Sequence, residues 1–114
     1  MITYNLPDHI AGDTWDGIPS VTVQLNGSAR NLTDALIKMQ VRLAIDSPVV
    51  LELSTRNSLI TILQPVSAGT FSVPSQIIDV PTGKYIYDIK IIFNTGEVKT
   101  EIGGSWFIAP HVTR

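Results

Sequence analysis

The stretch KYIYDIKIIF, residues 84–93, sets the strongest limit on how this chain can fold. Tyr85, Tyr87, Ile89, Ile91 and Phe93 occupy every second position. Successive side chains of a strand point to opposite faces, so this spacing predicts a long strand with one face in a core. Asn94-Thr95-Gly96 follows, a three-residue hairpin loop with Gly96 at the left-handed position, and EVKTEIG (97–103) is the returning strand. SWFIA (105–109) comes after Gly103-Gly104, a pair suited to a bend or bulge.

Only residues 31–46, NLTDALIKMQVRLAID, admit a helix, with Asn31 or Thr33 as its cap. At about 100° per residue, Ile37, Met39, Val41 and Leu43 spread around the cylinder and leave no polar face. At about 180°, Ala35, Ile37, Met39, Val41 and Leu43 share one side and Lys38, Gln40 and Arg42 the other. The period predicts a strand.

Shorter strands are expected elsewhere. SVTVQLNG ends on an Asn26-Gly27 turn. VVLELS (49–54) and LITILQ (59–64) flank TRNS, a connector of hairpin length. TFSVPSQIIDV (70–80) holds Pro74, which cannot donate to a ladder and marks an edge, a bulge or a break. These signals predict an all-β chain, a two-sheet antiparallel β-sandwich of immunoglobulin-like character with about eight strands. One domain spans 1–114, with residues 1–8 as an N-terminal arm or edge strand and 110–114 as a short tail.

The far side of strand 84–93 carries Lys84, Ile86, Asp88, Lys90 and Ile92. A sandwich strand needs one apolar face, so Ile86 and Ile92 are a surplus. Ile78, with Ile60 or Ile62, adds to it elsewhere. Charged residues make up 16% of the chain against a typical ~25%, which favours a surface covered by other subunits. Ile2, Tyr4 and Leu6 of the arm, with Ile86 and Ile92, are the candidate protein-interface residues; a homo-oligomer is one form such packing takes.

Other classes find little here. The net charge is −2 and the eight Lys and Arg are scattered, which argues against nucleic acid and anionic membrane as partners. The chain has no Cys, hence no disulfide or thiolate chemistry. MITYNLPDHIAGD lacks the blocks of a signal peptide, so export by that route is not expected.

His9 and His111 have no nucleophile motif to serve and read as ordinary histidines. Asp8, Asp13 and Asp16 match no calcium loop, and Asp16-Gly17 is a turn. Glu97, Lys99 and Glu101 share one face of a strand and read as a solvated, charge-balanced surface. Tyr85 or Tyr87 can bond backbone at the turn as a tyrosine corner. Trp15 and Trp106 are candidate stacking residues under an alternative reading, a carbohydrate- or receptor-binding sandwich. No enzyme activity, catalytic residue, metal or cofactor is expected.

Several short motifs carry a family resemblance: Gly12-Asp13-Thr14-Trp15, Leu32-Thr33-Asp34, Gly83 with Tyr85, Tyr87 and Asp88, Gly104 with Trp106, and Val112-Thr113-Arg114. In this order they resemble small tailed-phage and prophage virion proteins, and the N-terminal β-sandwich module of phage upper baseplate proteins. Asp34 stands where that pattern commonly has Gly. The resemblance implies a non-enzymatic bacteriophage structural protein of the tail or baseplate, with capsid decoration or a head fibre as the variant. It implies other virion proteins as partners, and assembly into the virion in the cytoplasm of the bacterial host.

Overall fold

The alternating stripe is carried by β12 (Gly83–Ile92), in the middle of the larger sheet of a computed structural model that describes residues 1–112. Tyr85, Tyr87, Ile89, Ile91 and Phe93 are all buried, as period-two burial requires. Antiparallel neighbours flank β12: β7 (Leu36–Arg42) on one side and β13 (Val98–Ala109) on the other. Beyond β7 lies β8 (Leu51–Ser54); along β13 run β1 (Ile2–Thr3) and β2 (His9–Ile10), both parallel to it.

The facing elements are a three-stranded sheet of β4 (Ile18–Thr22), β10 (Thr70–Val73) and β9 (Thr61–Ile62), with two small pairs. One pair joins β3 (Thr14–Trp15) to β11 (Gln76–Ile77), the other β5 (Gln24–Leu25) to β6 (Ser28–Ala29). A single core cluster joins both layers, with Phe71 and Val73 from one and Ile37, Met39 and Ile89 from the other. The all-β sandwich is therefore the architecture observed. Among the described residues it has thirteen strands rather than about eight, because seven of them are two-residue pieces.

Residues 36–42 are a strand, not a helix. Ile37, Met39 and Val41 face the core, while Leu43, just past the strand end, is exposed. Asn31 does cap, but it caps a turn: its Oδ1 accepts from the Thr33 N–H at 2.9 Å. The hairpin expected over 49–64 does not form. β8 pairs with β7 in the larger sheet and β9 with β10 in the smaller, so residues 55–60 carry the chain between layers. Pro74 ends β10, whose register against β4 also shifts between Phe71 and Val73.

The bulge in β13 falls at Glu101. Ile89 is opposite Ile102 and Lys90 opposite Thr100, so Glu101 is the extra residue. Gly103 and Gly104 serve another purpose: a Cβ on Gly104 would overlap the Tyr4 carbonyl oxygen, so the N-terminal arm can lie against β13 only because no side chain intervenes. The Tyr4 and Leu6 N–H groups each donate to β13, to Gly103 and Ser105 carbonyls at 2.9 Å. The arm is an edge strand, and Leu6 is 6% exposed within the core rather than an interface residue. Ile60 and Ile78 are likewise core, not surplus. Of the expected tail, residues 113 and 114 lie outside the described residues.

Candidate functional site

Because β7 and β12 bury alternate side chains, their remaining residues form one outward face with a fixed register. Lys38 is opposite Lys90, Gln40 opposite Asp88, and Arg42 opposite Ile86. Together with Ile45 these side chains line a concavity of about 360 Å³. Arg42 is held in place: Nη1 donates to the Ser47 carbonyl at 2.6 Å and Nη2 to Gln40 Oε1 at 3.0 Å. Gln40 Nε2 in turn donates to Glu52 Oε1 at 3.3 Å on β8.

The lysines are not so committed. The ion pairs among the described residues are Arg30–Glu97 and Lys99–Glu101, which leaves Lys38, Lys90 and Asp88 unpaired. Like charges directly opposite in a ladder repel and destabilise it. The same concavity carries an apolar rim toward its Arg42 end: Ile45 is 82% exposed and Ile86 37%. A Leu43 methyl lies over Gly83 at the same end of the sheet, 3.3 Å from where a Cβ would stand. A surface of this kind can hold a charged, partly apolar ligand.

The remaining candidates are dispersed. Ile2 and Tyr4 are exposed at the opposite edge of the sheet, beyond β13, and Ile92 is half-buried. Trp15 and Trp106 are 7% and 1% exposed, with ring centroids 4.9 Å apart. The Trp106 indole N–H donates to the Pro7 carbonyl at 3.2 Å. Both indoles are core pieces under the arm, which overturns their assignment as a sugar-stacking platform. His9 Nε2 lies 3.0 Å from the Asp13 carbonyl oxygen, and His111 is exposed. Among the described residues no group of three or more His, Asp or Glu is placed to hold a metal ion, and no helix is long and apolar enough to cross a membrane.

Glu97, Lys99 and Glu101 do not share a solvated face. Glu97 sits before β13 and pairs with Arg30, whose guanidinium covers the Phe93 ring at 4.0 Å. The hydrogen bond and charge of Arg30 hold the Glu97 carboxyl below its ordinary pKa. Glu101 is 4% exposed; its Oε2 is 3.1 Å from Lys99 Nζ but accepts no hydrogen bond. The Lys99 Nζ donates its hydrogen bond to the Gln24 carbonyl at 3.2 Å. Glu101 keeps the face of Lys99, which stands opposite the buried Ile91, and the bulge brings Ile102 onto that inner face as well.

Both tyrosines bond backbone. Tyr85 Oη donates to Pro81, four residues back, and Tyr87 Oη to Tyr4. Burial and the neighbouring Tyr4 push the Tyr87 hydroxyl up to about 12. The sequence did show that Lys38, Gln40, Arg42, Asp88 and Lys90 face outward. The cross-strand register, which sets lysine against lysine, has no local signature.

No known protein family matches the chain, and no curated protein matches it. Among solved structures, CopC from Methylosinus trichosporium OB3b is similar at a TM-score of 0.47 and 10% identity, covering 94% of this chain and 88% of that one. The expectation of a bacteriophage virion structural protein, in tail, baseplate, capsid or head fibre, is corrected here. A solved structure that matches along nearly the whole chain is CopC, not a virion component. A likeness at this level transfers none of CopC's own properties.

Proposed function

We propose that this chain is a non-enzymatic interaction module that holds a protein partner on the outward face of β7 and β12. The reading rests on one observation: unpaired Lys38 and Lys90 stand opposite each other in a concavity flanked by the exposed Ile45 and Ile86. A lone folded domain gains nothing from opposed like charges beside bare isoleucines. The side chains that carry chemistry elsewhere already have structural duties. Tyr87 pins the arm, Glu101 is charge-paired inside the sandwich, and both tryptophans fill the core.

The test is site-specific photocrosslinking in the cell that makes the protein. A benzophenone side chain at Ile45 is expected to give a discrete adduct with a second polypeptide, and one at Ile77, exposed on β11, none. Equal labelling from both positions, or none from Ile45, would remove the proposal.

A further inference from the structure

We infer that the partner presents an acidic segment with apolar residues beside its carboxylates. This deepens the reading of the β7–β12 face as a docking surface and rests on it. The concavity sets three cations, Lys38, Arg42 and Lys90, against one carboxylate, Asp88, with Glu52 of β8 at its margin already bonded to Gln40. The chain as a whole carries a net charge of −2, so this positive excess is local. Residues directly opposite in a ladder have Cβ atoms roughly 5 Å apart, close enough for one carboxylate to bridge both ammonium groups. Such a ligand converts a repulsion into two ion pairs. At the other end, four residues along β7, Arg42 has donated two of its five N–H groups, to Ser47 and Gln40, and retains others for a second carboxylate.

Apolar neighbours decide the class of ligand. A sulfated glycan or inorganic anion would use the cations and leave Ile45 and Ile86 in water. A polypeptide with carboxylates and large aliphatic side chains uses both. A second copy of this chain is disfavoured by the same arithmetic, because two such faces brought together around a two-fold axis oppose cations to cations. Asp88, opposite Gln40 midway between the cationic ends, repels a segment that places a carboxylate at the centre.

Amide chemical shifts of the full chain report the outcome, during titration with a synthetic peptide of Leu-Glu-Glu-Leu repeats. Parallel arms use oligoglutamate, a heparin oligosaccharide and simple dilution. The Leu-Glu peptide is expected to give saturable shifts confined to residues 38–45 and 86–90, and to bind more tightly than the other two probes. Lys38→Gln with Lys90→Gln should weaken it about tenfold, two exposed ion pairs at somewhat under 1 kcal/mol each. Ile45→Ser should weaken the Leu-Glu peptide and leave oligoglutamate unchanged. If heparin binds as tightly, or dilution shows self-association through this face, the acidic-segment inference fails while an interaction face remains. Absence of any shift there with every probe at millimolar concentration overturns both.

Discussion

The Tyr87 hydroxyl donates a hydrogen bond to the backbone carbonyl of Tyr4, eighty-three residues earlier. Through it the buried stripe of β12 holds the N-terminal arm, whose backbone also pairs with β13. The bond needs the proton. Tyr87 is raised from 10.0 to about 12 in the folded state, so the unfolded chain ionises first. The stabilisation is complete below pH 10 and is lost as pH rises through 12. Chemical denaturation from pH 9 upward should show about 2 kcal/mol disappearing over that window. Tyr87→Phe should abolish this alkaline dependence and lower stability at neutral pH by roughly 1 kcal/mol, the worth of the hydrogen bond.

Gly104→Ala is expected to dislodge the arm while leaving the rest of the sandwich folded. The new Cβ meets main chain at Tyr4, which cannot rotate away as a side chain can. Overpacking of this kind costs about 2 kcal/mol. Hydrogen exchange should speed up at Tyr4 and Leu6, and the Trp106 indole N–H should lose its protection as Pro7 leaves.

Lys99→Met should destabilise the fold by about 2 kcal/mol, because it strands the Glu101 carboxylate without its counter-charge inside the sandwich. Adding Glu101→Leu should recover most of that loss, since a packed apolar pair needs no compensation. Urea midpoints of the wild type, both single variants and the double variant measure the coupling.

Arg30→Ala should flatten the acid side of the stability profile. Arg30 holds the Glu97 pKa down, so that pair's contribution is present above the ordinary carboxylate range. It fades as pH falls through the lowered folded value, below about pH 5. In the wild type the urea midpoint falls over that interval, and the variant should fall less. The variant also bares Phe93, which adds a pH-independent loss.

Much of the fold was legible because its signals are local. The stripe from Tyr85 to Phe93 needs only the strand period, and the turns need only backbone conformation. Asn26 and Gly27 have φ of 53° and 80°, and Gly96 has 91°. Non-local choices were not legible. Residues 49–54 and 59–64 read equally well as a hairpin or as strands of two different layers, because only the partners available in space decide between them. Glu97, Lys99 and Glu101 read as a solvated face, and only the register that sets Lys99 opposite the buried Ile91 shows Glu101 to lie inside. The tryptophans carried no mark of burial beyond their size. For the candidate site, alternation yielded the outward residues, but setting Lys38 against Lys90 took the observed register.

Glu101 has a counterpart nowhere on β12, so β13 carries one residue more than its ladder requires. Excising that residue alone would bring Thr100 and Ile102 into unbroken step with Lys90 and Ile89, and every other side chain would keep its side. Excising Ser105 instead would turn Trp106 and Ile108 out to water. Twelve consecutive positions of one strand thus differ sharply in what their loss would do, and the most expendable of them is a buried acid.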